Sequence, residues 1–189
     1  MAGWILTGIV VAALAYGVLL YNGLVMLKHA VARAWANIDV LLKQRHDELP
    51  KLIEVCRQYR DFESSTLERV MQARSGLAHA RERGDLDDVG KAESELRAGI
   101  GRLFAVAESY PELRTNEQFL QLQQRMSTLE ESIADRRELY NETVNINNAR
   151  IEQFPAVFIA RLFAFEEKPL LRFSAAEKND VNVRALMAG

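Results

Sequence analysis

From Trp4 to Leu27 the chain reads WILTGIVVAALAYGVLLYNGLVML, apolar on every face, and no charged side chain precedes Lys28. As a helix this run is roughly 36 Å long at about 1.5 Å per residue, enough to cross a hydrocarbon core of ~30 Å. Beyond it the apolar positions step by three and four, the period of an amphipathic helix. Leu24, Leu27, Val31, Trp35, Ile38, Leu42 and Leu49 form one stripe. No Pro or Gly follows Gly23 before Pro50, so the pattern predicts one rod from the span to the neighbourhood of Pro50. A second stripe takes in Leu52, Cys56, Tyr59, Leu67, Val70 and Leu77 and ends at Gly84-Asp85. A third, with Leu86, Val89, Leu96, Ile100, Leu103 and Val106, stops at Tyr110-Pro111. The fourth is the most regular: Phe119, Leu122, Met126, Leu129, Ile133, Tyr140, Val144, Ile151 and Phe154. Thr115 or Asn116 is placed to cap its start, Glu117 suits its first turn, and Pro155 ends it.

Short joints at Pro50, Gly84 and Pro111 make successive helices antiparallel neighbours. The fold class expected is all-α: a transmembrane helix continuous with an up-and-down bundle of long helices. The expected divisions are a tail and span at 1–27, a helical domain at 28–173 and a polar tail at 174–189. Arg136 and Arg137 fall near the fourth stripe, where their stems are expected to cover the core edge and their heads to reach water. Asn147, at core spacing after Tyr140, is either a buried register-setting Asn or a solvated one at the core edge.

Two other readings of the apolar run fit it less well. Ala13-Leu14-Ala15 mimics a signal-peptide cleavage site, but no Lys or Arg precedes the run, and it continues through Leu27. A buried core helix is less consistent with apolar character on all sides over this length. Trp4 and Tyr21 suit the aromatic belts at the two interfaces, and Gly8, Ala12 and Gly17 suit close approach of a second helix. Lys28, Arg33, Lys43 and Arg45 all follow the span, so the positive-inside rule places the N-terminus outside and the bulk of the chain in the cytoplasm.

Charge narrows the partners. With 24 basic and 26 acidic residues the net charge is −2, and no basic stripe with interleaved aromatics appears, so nucleic acid is not expected. The single cysteine excludes an intramolecular disulfide. Cys56 lies on an apolar stripe between Leu52 and Tyr59, the setting of a structural thiol. No His has a set of metal-ligating residues three or four positions away, and there is no Glu-x-x-His, His-Glu-x-x-His or phosphate-binding glycine loop. Arg45-His46-Asp47-Glu48 resembles an acid/base cluster. Consecutive helical residues point in different directions, however, and a polar end to the rod is the simpler expectation. Neither an enzyme, nor a cofactor, nor a metal site is expected.

Several segments together resemble the LemA family: Tyr21-Asn22-Gly23-Leu24-Val25, Arg33-Ala34-Trp35-Ala36-Asn37-Ile38-Asp39-Val40, Leu42 through Leu52, Tyr140-Asn141-Glu142-Thr143-Val144-Asn145, and Phe154-Pro155-Ala156-Val157-Phe158-Ile159-Ala160 with Phe163 and Phe165. The match runs from about residue 18 to 173. The resemblance implies an N-terminal membrane helix with a short outside tail and a helical cytoplasmic domain. It implies no reaction. Ala32 and His29 stand where an Asn or Asp is expected before Arg-Ala-Trp, which leaves that polar position without a role.

The segment after Pro155 carries more apolar side chains than a short exposed helix needs: Val157, Phe158, Ile159, Leu162, Phe163 and Phe165. It is too short to span. Two roles are expected for it. With Arg161, Lys168 and Arg172 at headgroups it contacts the membrane interface; or it caps the bundle or packs on a second copy. Trp35, Ile38, Leu42, Met126, Ile133 and Tyr140 are the expected core. The function expected is that of a non-enzymatic, inner-membrane scaffold that self-assembles as a homo-oligomer and organises the lipid bilayer or recruits a membrane protein partner. The alternative is a monomeric or dimeric adaptor or sensor for a membrane protease or envelope-stress component.

Overall fold

A computed structural model describes residues 2–59 and 62–172. Phe173 and the polar tail at 174–189 lie outside them. The described residues are helical with no strand: α1 (Ala2–Arg57), α2 (Ser64–Arg83), α3 (Leu86–Ala107), α4 (Pro111–Arg114), α5 (Glu117–Glu152) and α6 (Ala156–Leu162). The fold is the all-α, long-helix antiparallel bundle, entered through an apolar N-terminal helix that continues into it without a break.

Local chemistry sets the helix ends. Gly84 adopts φ 70°, a left-handed residue that ends α2 and leaves its N–H on the Arg81 carbonyl at 3.1 Å. Asp85 then caps α3, its carboxylate accepting from the N–H of Asp87 and Asp88. Pro111 opens α4 at the first-turn position where its missing N–H costs nothing. Of the two expected caps for α5, Asn116 takes the role: its Oδ1 accepts from Phe119 N–H at 3.0 Å. Thr115 instead lets its hydroxyl donate to the carbonyls of Pro111 and Glu112.

The expected rod end at Pro50 is corrected. α1 passes through Pro50 and ends at Arg57, so Leu52 and Cys56 belong to α1 and not to a second helix. An interior proline orphans the carbonyl four residues back. That carbonyl is His46, and the Arg74 Nε–H of α2 donates to it at 3.0 Å. A side chain from another helix replaces the bond the proline cannot make. The first joint therefore lies between Arg57 and Ser64, and the chain turns later than the pattern implied.

The chain divides into two compact units, and α1 and α5 contribute to both. In the unit made of residues to Asp39 and Arg136–Leu170, α1 and α5 run antiparallel. The Trp35 ring meets Tyr140 at 5.9 Å, while Leu24 and Ile151, equal steps away in opposite directions, share a core cluster. Residues 165–170 form a strap along α5. Asn148 clamps Lys168 through its N–H and its carbonyl, both at 2.9 Å, and Tyr140 Oη donates to the Pro169 carbonyl at 3.0 Å. Burial raises the Tyr140 pKa.

The second unit, Val40–Asp135 with the residues from Leu171, holds the larger core. Leu42, Leu49 and Leu52 of α1, Val70 and Leu77 of α2, Leu96, Ile100 and Leu103 of α3, and Phe119, Met126 and Ile133 of α5 are all buried. Each such aliphatic side chain contributes about 1.5–3 kcal/mol by leaving water. α2 packs against α3. Leu171 is buried here too, and the Arg172 carbonyl lies so near Gly90 of α3 that an added Cβ would meet it at 2.6 Å. Only glycine admits that approach.

The expected core is found with two adjustments. Ile38, Leu42, Met126, Ile133 and Tyr140 are buried, whereas Trp35 is half-buried, its indole lying edge-on to Tyr140. Phe154, placed by spacing at the end of the fourth stripe, is 77% exposed, because α5 ends at Glu152 before reaching it.

Candidate membrane-contact surface

Among the described residues, α1 is the one helix long and apolar enough to cross a membrane. The run from Trp4 is almost wholly uncovered by the other described residues: Trp4 is 85% exposed and Leu19 68%. Ala12 is exposed, and the space beside Gly8 is open, so neither has an intrachain partner among the described residues. Gly17 is different. A Cβ there would sit 4.0 Å from Ile159 Cδ1, so its small size meets α6 of the same chain.

α6 is amphipathic on a small scale. Ala156 and Ala160 face inward, and Val157 and Ile159 are half-buried. Ile159, Ala160 and Phe165 pack on Leu24 and Ile151. Tyr21 meets the rings of Phe163 and Phe165 at 4.7 and 5.9 Å. The segment thus lies beside Gly17–Leu24, within the second half of the apolar run and before Lys28. Its other face remains uncovered: Phe154, Phe158, Leu162 and Phe163 are exposed, with Arg161 exposed among them. Phe154 and Phe158 stack edge-on at 5.0 Å. α6 thus has an inner face that packs on the protein and an outer apolar face that no other described residue covers.

The helix stops at a left-handed residue that is not glycine. Ala164 has φ 52°, Phe165 N–H donates to the Ala160 carbonyl at 2.9 Å, and Ala164 N–H to that of Arg161 at 3.4 Å. This is a Schellman-type reversal, which costs an alanine about 1 kcal/mol or more relative to glycine. It directs Phe163 and Phe165 onto the same tyrosine.

The members of the Arg45–Glu48 cluster are divided among different partners. Arg45 is fully buried and makes a two-pronged ion pair with Glu93 of α3, with Glu130 of α5 at 3.7 Å. Glu48 instead accepts from Lys51 at 3.0 Å and from Arg125 at 3.3 Å. The His46 pKa is lowered by burial and then by Arg74. The expectation of a polar end to the rod is corrected for Arg45, as is that of a water-reaching head for Arg137, which is buried. A signal for the ion pair was present. Arg45 falls at core spacing between Leu42 and Leu49, and Glu93 between Val89 and Leu96, so opposite charges occupy core positions on two helices. Cys56 is buried, and its thiol is pushed up to about 12 by that burial, which leaves almost no thiolate near neutrality. Asn147 is buried, and its amide donates to Asn148 Oδ1 at 3.1 Å.

Comparison with known proteins places these features in a family. The family model described as the LemA family matches residues 34–184. The magnetosome protein MamQ 2 of Paramagnetospirillum magneticum is 25% identical, over 85% of this chain and 70% of its own length. Protein LemA of Metamycoplasma hominis is 26% identical, over 87% of this chain and 74% of its own.

Proposed function

We propose, from the premise that this chain belongs to the LemA family, that this membrane-associated helical protein is a non-enzymatic scaffold that self-assembles and organises the bilayer. The observation that supports it most is the uncovered apolar surface formed by the span and the outer face of α6. Large apolar side chains exposed elsewhere among the described residues are scattered, such as Val40 and Leu120. Lipid or a second copy is needed to remove such a surface from water.

The test is particle size. The full chain in nanodiscs or mild detergent should run as a large homo-oligomer, and a monomer or dimer would favour the adaptor reading. Deleting residues 1–16, which spares the Gly17–Leu24 seat of α6, should reduce the assembly to a monomer or small oligomer. An assembly of unchanged size would place the driving interface in the charged bundle.

The scaffold's bulk is proposed to lie in the cytoplasm, on the side where Lys28 and Arg33 follow the span. With Cys56 replaced, a cysteine at Ala2 should react with an impermeant maleimide on intact cells, and one at Asp85 should react only after lysis. The reverse pattern overturns this orientation.

A further inference from the structure

We propose that the cavity beside the end of the span is a binding site for the phosphate headgroup of an anionic phospholipid. The inference rests on the membrane placement of α1 and α6 and adds to it a ligand and a site. The cavity has a volume of about 460 Å³, within the range that suits a small polar ligand. Its walls come from three parts of one compact unit: Tyr21 to His29 of α1, Asn147 of α5, and the turn and strap after α6.

The wall chemistry matches the boundary between hydrocarbon and water. Tyr21, Phe163 and Phe165 form an aromatic side at the level of the apolar run. Lys28, the first charged residue after that run, and Lys168 contribute two cationic residues to the wall, with His29 beside them, against one acidic residue, Glu166. Neither lysine's placement is accidental. Lys28 is fixed by the helix, and the Lys168 backbone is clamped on both sides by Asn148. Asn147, only 3% exposed, adds a buried amide to the wall. The strained Ala164 turn is what brings Phe163 and the strap round to close the site. A phosphodiester presents acceptor oxygens to lysine and amide donors, and its acyl chains would continue along the exposed faces of Phe158 and Phe163. A membrane-inserted span carries the cavity to where such headgroups are concentrated.

The full chain in neutral detergent should be titrated with short-chain phosphatidylglycerol, short-chain phosphatidylcholine and inorganic phosphate, and bound lipid counted by native mass spectrometry. Phosphatidylglycerol should bind at one per chain and phosphatidylcholine about tenfold or more weaker. K28Q/K168Q should lose that preference, while K51Q/K91Q, which removes the same charge from exposed positions, should keep it. Equal binding of the two lipids, equal loss in both double variants, or competition by inorganic phosphate at the lipid's own concentration would overturn the proposal. Reconstitution into vesicles separates this from the premise. K28Q/K168Q should still float with them, whereas a full chain that never floats refutes the membrane placement instead.

Discussion

Arg45→Ala should destabilise the bundle by about 3–5 kcal/mol, the cost of leaving one partner of a buried ion pair without the other. Glu93 is 2% exposed and cannot regain water when Arg45 is truncated. A loss of that size is a large part of a domain's total of about 5–15 kcal/mol. It should appear as a large drop in the thermal midpoint of helical circular dichroism. The pair itself need not be a net stabiliser, because desolvating two charges offsets much of their attraction. R45M/E93L should therefore recover most of the loss, and Arg33→Ala, an exposed arginine on the same helix, should change stability by about 0.5 kcal/mol or less. If R45A proved as mild as R33A, the buried ion pair would not exist as described.

The second large effect concerns α6. A chain lacking residues 1–16 keeps Gly17, Tyr21 and Leu24, against which α6 and the turn after it pack, and should float with anionic liposomes. F158S/F163S should weaken that partition about 100-fold, since removing two half-exposed phenylalanines from an apolar interface forfeits roughly 3 kcal/mol. Helical content should be unchanged, because Ala156, Ala160 and Ile159 hold the inner face of α6. A double variant that floats as well as its parent would leave α6 with the packing role alone.

The particular helices show why much of the fold could be read directly. An apolar stripe with a period between three and four has one way to leave water, so α3 and α5 appear near their expected limits; Gly84 ends α2, and Asp85 and Asn116 mark the starts of α3 and α5, through local hydrogen bonds. The apolar run of α1 is likewise a property of consecutive residues.

What failed were the inferences that turned on one particular polar or aromatic partner distant in sequence. Pro50 reads as a break because the orphaned His46 carbonyl is visible in the sequence and the Arg74 donor that satisfies it is not. Arg45 and Arg137 read as solvated because an isolated charge belongs in water, and only the opposing helices make burial tolerable for Arg45. Trp35 reads as core, yet its depth depends on how closely Tyr140 approaches.

By itself, then, the amino-acid sequence determined the apolar N-terminal helix, the helical class and most of the apolar core, because these follow from periodicity and from bonds within a few residues. Only the tertiary structure decided that α1 continues through its proline and that a charge pair sits in the core. It also decided that the turn after α6 folds back on Tyr21 to enclose a cavity at the end of the span. Each of these required a hydrogen bond, an ion pair or a ring contact between residues far apart in the chain, and no local pattern specifies which distant group will arrive.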